Sequence, residues 1–325
     1  MRRREFIAGM AGIAAANAWC PPLSAQEPGR TYRIGFLIPA ARESPAVNGF
    51  FDELRLHGFI EGQNLTVVFS GFNVSNEQIA EGVAAVIPAN PDVIVAGPEF
   101  YVRALHAATR TIPLVSMSED LAGAGLAASL ARPGGNVTGI SLLSPELDGK
   151  RQGLLIEAVP QTRKMATLVE SNITPQHHLE TLRDAAQSRG VTLSFSMIAK
   201  PNEIAPALDD AKAKGADAIN VLATPLFFVN RRQIIDQTAK LRLPAIYQWP
   251  EMAEEGGLLA YGPRFTQVYR QRARQIVKIL RGARATDVPV EQPTNFELVI
   301  NLKTAKSIGH EIPAGLVLRA DKLIE

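Results

Sequence analysis

Asp92-Val93-Ile94-Val95-Ala96 and, 125 residues later, Asp217-Ala218-Ile219-Asn220-Val221 share one pattern: an acid followed by a short, nearly continuous apolar run. Such runs suit strands covered on both faces of a parallel sheet. The same order of elements extends outward from each. Ahead of the first run lie the strand Ile34-Gly35-Phe36-Leu37-Ile38, helically spaced apolar residues within 45–60 (Val47, Phe50, Phe51, Leu54), the strand Leu65-Thr66-Val67-Val68-Phe69 and a helix over 76–89. A helix near 99–110 and the strand Pro113-Leu114-Val115-Ser116 follow it. The second copy reads Met165-Ala166-Thr167-Leu168-Val169, a helix over 175–189, Val191-Thr192-Leu193-Ser194-Phe195, a helix over 202–214, the run at 217 and Leu243-Pro244-Ala245-Ile246-Tyr247. Two copies of one βα series predict an α/β protein with two similar doubly wound parallel-sheet lobes joined by hinge strands.

Ligands in such sheets sit beyond the carboxyl ends of the strands. Facing lobes would therefore enclose a cleft walled by the loops 39–43, 96–100, 116–120, 170–174, 223–227 and 247–251. Two stretches read as connections between lobes: the turn Arg132-Pro133-Gly134-Gly135-Asn136 with the strand Val137-Thr138-Gly139-Ile140-Ser141, and the strand 256–262 between glycines. A helix over 265–281, a strand at 296–301 and a short helix at 303–309 follow. The predicted division is 26–141 plus about 258–289 for the first lobe, and 142–257 plus about 290–325 for the second.

Residues 1–25 read as a cleaved export signal: Arg2-Arg3-Arg4, an apolar stretch from Ile7 to Trp19, then small residues Ser24-Ala25. That stretch is far shorter than the roughly 20 residues a membrane span needs. Arg3-Arg4-Glu5-Phe6-Ile7 resembles the twin-arginine signal. Cleavage after Ala25 would remove Cys20, the one cysteine, and suits a periplasmic location. The chain has 34 Lys+Arg and 32 Asp+Glu, and without the leader 31 of each. A nucleic-acid partner is not expected from that balance.

Catalytic and cofactor signatures are missing. The first strand runs into Ile38-Pro39-Ala40-Ala41-Arg42, without the glycine fingerprint of a dinucleotide site, and there is no P-loop or nucleophile elbow. Among His57, His106, His177, His178 and His310 only His177-His178 are neighbours, and adjacent helical side chains do not share a face. They read as surface histidines. No metal, cofactor or catalytic residue is expected. Glu43, Glu99, Glu119, Asp120, Glu170 and Glu251 fall near the cleft loops, but no spacing singles out a hydrolytic acid pair.

The chain resembles the type I periplasmic solute-binding proteins of ABC importers. It is most similar to the uncharacterised ABC transport system periplasmic component family, which includes tryptophan- and tyrosine-binding members. The stretches that carry the resemblance are 125–139 (Gly125 to Gly139, through Ala131-Arg132-Pro133-Gly134-Gly135-Asn136), Gly149-Lys150-Arg151, and 290–306 (Val290-Glu291-Gln292-Pro293-Thr294-Asn295-Phe296 onward). Where relatives commonly carry Asp-Pro-Val after the fourth strand, this chain has Glu119-Asp120-Leu121-Ala122, which points to a different ligand. The resemblance implies a monomer that binds a small organic solute, such as an amino acid or aromatic carboxylate, and delivers it to a permease and ATPase without reacting with it. A periplasmic sensor serving a membrane receptor is the alternative.

The ligand-binding candidates follow from the cleft loops. Ser116, Ser118, Thr138, Ser141, Ser171, Asn172 and Thr224 offer neutral hydrogen bonds at strand ends. Ala40, Gly97, Pro98 and Pro225 supply the backbone of the same loops, and Glu119 or Glu170 an anion for an ammonium group. Tyr247 and Trp249, with Phe100, Tyr101, Phe227 and Phe228, supply rings that could sandwich a flat solute from both lobes.

Overall fold

The computed structural model describes residues 29–325 except Leu143 and Asn172, so the segment 1–25 read as an export signal lies outside the described residues. The first repeat contains β1 (Tyr32–Leu37), α1 (Pro45–Leu56), β2 (Leu65–Gly71), α2 (Ile79–Val86), β3 (Val93–Ala96), α3 (Glu99–Ala108), β4 (Leu114–Ser118) and β5 (Val137–Ser141). The second contains α4 (Ser144–Ala158), β6 (Lys164–Glu170), α5 (Gln176–Gln187), β7 (Thr192–Ile198), α6 (Ile204–Ala213), β8 (Ala218–Val221), α7 (Pro225–Val229), α8 (Arg231–Lys240), β9 (Ala245–Tyr247), α9 (Pro250–Glu254) and β10 (Leu259–Gly262). After α10 (Phe265–Leu280) come β11 (Glu297–Asn301), α11 (Leu302–Ile308), α12 (Ala314–Val317) and β12 (Lys322–Ile324).

The first sheet runs β2-β1-β3-β4-β5, all parallel. The second runs β12-β11-β10-β9-β8-β6-β7. Its last five strands reproduce the first order, and only the β10–β11 pairing is antiparallel. The fold is therefore two α/β lobes of one topology, as the repeated runs predict. The leading acids do the same work in each copy. Asp92 accepts from the Arg33 N–H at 2.7 Å, and Asp217 from the N–H groups of Arg163 and Lys164 at 2.8 and 2.9 Å. Each carboxylate supplies an acceptor to backbone donors at the start of its lobe's first strand.

Local chemistry sets the helices. Ser44 caps α1 by accepting from the Val47 N–H, and Pro45 sits in the first turn. Ala46, Val47, Phe50, Phe51 and Leu54 bury one face of that helix. In α10 the stripe Phe265, Val268, Tyr269, Ala273, Ile276, Val277 and Leu280 is buried. That stripe packs on α1 and the first sheet, although α10 follows the last parallel strand of the second repeat. Conversely α4, which follows the last strand of the first repeat, packs on β8, β9 and β10. Each lobe thus receives one helix from the other's repeat.

This exchange corrects the sequence-based boundaries in one place. Leu259–Gly262, assigned with the first lobe, pairs with β9 and β11 in the second sheet, so the chain crosses after it. A run of isolated apolar residues between glycines does not say which sheet edge it joins. The turn 132–136 is likewise internal to the first lobe, because Asn136 O accepts from Leu114 N–H and β5 pairs with β4. The crossings come after β5, after β10 and before β11, where Glu291 still pairs beside β5 through Ser141 N–H (2.9 Å). The helix over 144–158 has no counterpart in the sequence reading.

Gly139 lies at φ 146°, and a Cβ there would stand 2.1 Å from the Ser116 carbonyl oxygen on β4. Backbone cannot yield to that clash. Gly139→Ala is expected to lower stability by about 3 kcal/mol or more, read as the urea midpoint at constant m-value. A midpoint within error of the parent chain would contradict the close β4–β5 approach.

Candidate functional site

The carboxyl ends of β1, β3 and β4 face those of β6, β8 and β9 across a cavity with an empty volume of about 960 Å³, counting its mouth. Loops from both lobes line it. The first lobe contributes Pro39, Ala40, Gly97, Pro98, Glu99, Phe100, Met117, Ser118, Glu119 and Leu142. The second contributes Ile173, Thr224, Pro225, Phe228, Val229, Gln248 and Trp249, and α10 adds Phe265, Tyr269 and Arg272. Fourteen of these twenty residues are apolar or aromatic, and Glu99, Ser118, Glu119, Thr224, Gln248 and Arg272 supply the polar groups, the usual mix of a small-molecule site.

One wall is a cluster of rings. Phe265 lies 4.4 Å from Phe228, 4.7 Å from Trp249 and 5.0 Å from Tyr269, measured between ring centroids. Trp249 is 3% exposed, so its ring is set by edge contacts with Phe228 and Phe265 as well as by the cavity. Phe100 faces them from the first lobe and is 41% exposed.

Of the residues singled out from sequence, Ala40, Gly97, Pro98, Glu99, Phe100, Ser118, Glu119, Thr224, Pro225, Phe228 and Trp249 are brought together at this cavity. The remaining candidates are not among its lining residues. Ser116 Oγ donates to Gly97 O (3.1 Å), Thr138 Oγ1 to Val288 O (2.7 Å), Ser141 Oγ to Glu119 O (3.2 Å) and Ser171 Oγ to Ile198 O (3.3 Å). These hydroxyls satisfy neighbouring carbonyls inside or between elements, which is what buried polar groups require. Tyr247 is fully buried with its hydroxyl 2.8 Å from Thr238 Oγ1, and burial raises its pKa. Tyr101 and Phe227 are core residues, 2% and 1% exposed. Asn172 lies outside the described residues.

Thr224 lines the cavity while capping α7, its Oγ1 accepting from Phe227 N–H at 3.3 Å. Ser118 Oγ is buried and makes no hydrogen bond among the described residues. Arg272 is the charged lining residue that sequence reading missed. It occupies the buried stripe of α10, three residues after Tyr269 and four before Ile276, and a cation at such a position was the available signal. Its Nε and Nη2 donate to Val115 O at 3.1 and 2.7 Å, and Nη2 also to Ala96 O. Burial pushes the guanidinium pKa down to about 10, so it stays charged at neutral pH.

A smaller recess of about 370 Å³ shares Glu119, Ile173 and Thr224 with the cavity. At its back Asp148 pairs with Arg151 Nη2 (2.5 Å) and lies 3.0 Å from His178 Nε2. His178 is 8% exposed, which corrects the expectation of a surface histidine. Its partner Asp148 sits on a helix that the sequence reading did not assign. No His/Cys/Asp/Glu group suited to a metal occurs among the described residues, and none of their helices is long and apolar enough to cross a membrane.

Residues 39–324 match the family model described as ABC transporter substrate binding protein. The chain belongs to that family. Within this substrate-binding family, it is 25% identical over 283 residues to a tyrosine-binding protein of Clostridioides difficile strain R20291, covering 85% of this chain and 79% of that protein. A conserved domain protein of Vibrio cholerae superposes with a TM-score of 0.81 at 26% identity, covering 90% of this chain and all of the other. An ABC domain of Streptococcus pneumoniae solved in complex with L-Trp gives the same TM-score at 23% identity, with the same coverage.

Two buried carboxyls border the site. Burial raises Glu170, against hydrogen bonds from Thr224 and the Leu226 N–H. Burial also raises Glu251, against the backbone N–H groups of Phe265 and Thr266 and the charge of Arg264. A raised acid favours the fold fully below its unfolded value, and that contribution is lost as pH rises through the folded-state value. Glu251→Gln should therefore gain stability relative to the parent chain as pH climbs above 4.5, read as a widening difference in urea midpoint. A difference that stays constant between about pH 4 and 8 contradicts this.

Proposed function

We propose that this protein is a periplasmic receptor that captures a small organic solute between its lobes and delivers it to the permease and ATPase of an ABC importer. The solute has an aromatic or apolar body and carries a carboxylate, as an aromatic amino acid or aromatic acid does. One observation carries this reading: the cavity is walled from both lobes mostly by apolar and aromatic side chains, with six polar residues among the twenty that line it. A polyol would leave many hydroxyls unpaired against such walls, at a cost for each. The relatives described as binding tyrosine or holding L-Trp point the same way.

Lobes joined by three crossings can open to admit a solute and close to contact it from both sides. Closure is favoured only by the extra affinity of the solute for the closed form. A micromolar affinity corresponds to about 8 kcal/mol, within reach of a stacked ring, a charged pair and a few hydrogen bonds.

Thermal unfolding of the exported protein in the presence of aromatic amino acids, aromatic acids and sugars tests the reading. Aromatic carboxylates should raise the midpoint and alter the emission of Trp249, the sole tryptophan outside residues 1–25. A response to sugars alone would count against it. Phe100→Ala should weaken binding by about 3- to 10-fold, with little change in the midpoint of the unliganded protein because the ring is half-exposed.

A further inference from the structure

We propose that Arg272 is the anchor for the solute's carboxylate and thereby sets the class of solute accepted. The inference rests on the cavity being the solute site and concerns which end of the solute is read by charge.

Arg272 is fully buried, lines the cavity and forms no ion pair with any acid among the described residues. Its bonds run from Nε and Nη2 to the carbonyls of Val115 and Ala96, at the carboxyl ends of β4 and β3. Nη1 makes no hydrogen bond among the described residues. Carbonyl dipoles orient a guanidinium but do not cancel its charge. A unit charge taken out of water costs several kcal/mol unless a counter-charge joins it. An anion entering this apolar chamber meets a cation already desolvated and held rigid by two strand ends, so little is lost in ordering it. The planar fork suits a carboxylate.

A second buried group points into the same chamber. Ser118 is 2% exposed, stands three residues beyond Val115 on β4, and its hydroxyl has no partner among the described residues. It can donate to a carboxylate oxygen. Glu119, next along the same wall, repels an anion and turns the carboxylate toward α10.

Titration calorimetry of the parent protein with L-tyrosine, L-tryptophan and indole-3-acetate, against L-tyrosinamide and L-tryptophanamide, tests the assignment. The acids should bind about 100-fold more tightly than the amides. Arg272→Gln should reduce that ratio to near one, and Arg272→Lys should retain part of it. A purely structural Arg272 would weaken acids and amides by one common factor, and that result overturns the proposal. Equal binding of acids and amides by the parent protein overturns it too, leaving the aromatic-solute reading intact. If none of the five compounds binds, both fall. The parent comparison needs no variant, so a folding defect in Arg272→Gln does not shield the inference.

Discussion

Parallel strands all end at the same edge of their sheet, and in this chain the helix that follows the last parallel strand of each repeat cannot bury its apolar stripe at home. α10 packs on α1 and the first sheet, and α4 on the second. The lobes are therefore tied by exchanged helices, and their carboxyl-end loops are made to face each other. Everything at the cavity depends on that. Phe265, Tyr269 and Arg272 come from the exchanged helix and complete a wall that neither repeat supplies alone. Phe265 and Tyr269 also belong to the core cluster that runs from Phe36 and Val95 in one lobe to Ile219 and Trp249 in the other.

The chamber so formed combines two features rarely tolerated together, an apolar lining and an ionised guanidinium. The rings of Phe228, Trp249 and Phe265 pack on one another with centroids 4.4 to 5.9 Å apart. The arginine is held by carbonyls at the carboxyl ends of β3 and β4. Burial leaves such a charge costly, and a site that carries this cost empty recovers it on binding. Preorganised charge in a dry chamber is also what lets few polar contacts discriminate strongly.

The repeats diverge where function enters. Asp92 and Asp217 close equivalent backbone gaps, and Gly139 and Gly262 each let a strand approach a neighbouring carbonyl too closely for a Cβ. At the loops the likeness stops. Gly97-Pro98 opens the first lobe's wall where Thr224-Pro225 opens the second, and Ser116 turns inward to Gly97 O while Tyr247 is sealed in the core.

Periodicity alone determined most of the strand and helix series, though not such elements as α4, α12 and β12, together with its twofold repetition and the six loops at the cleft. Those are local patterns of apolar spacing, and each element can be read from its own neighbours. The sequence also marked eleven of the cavity's residues, because a loop at a strand's carboxyl end is placed by topology. Only the tertiary structure decided which sheet Leu259–Gly262 joins, since strand pairing is non-local. It alone separated Ser118, which faces the chamber, from Ser116, Thr138, Ser141 and Ser171, whose hydroxyls serve nearby carbonyls. It alone brought Arg272, more than 150 residues away in the chain, to the ends of β3 and β4. A side chain's partner across a fold depends on how helices are exchanged between lobes, and no local pattern encodes that exchange.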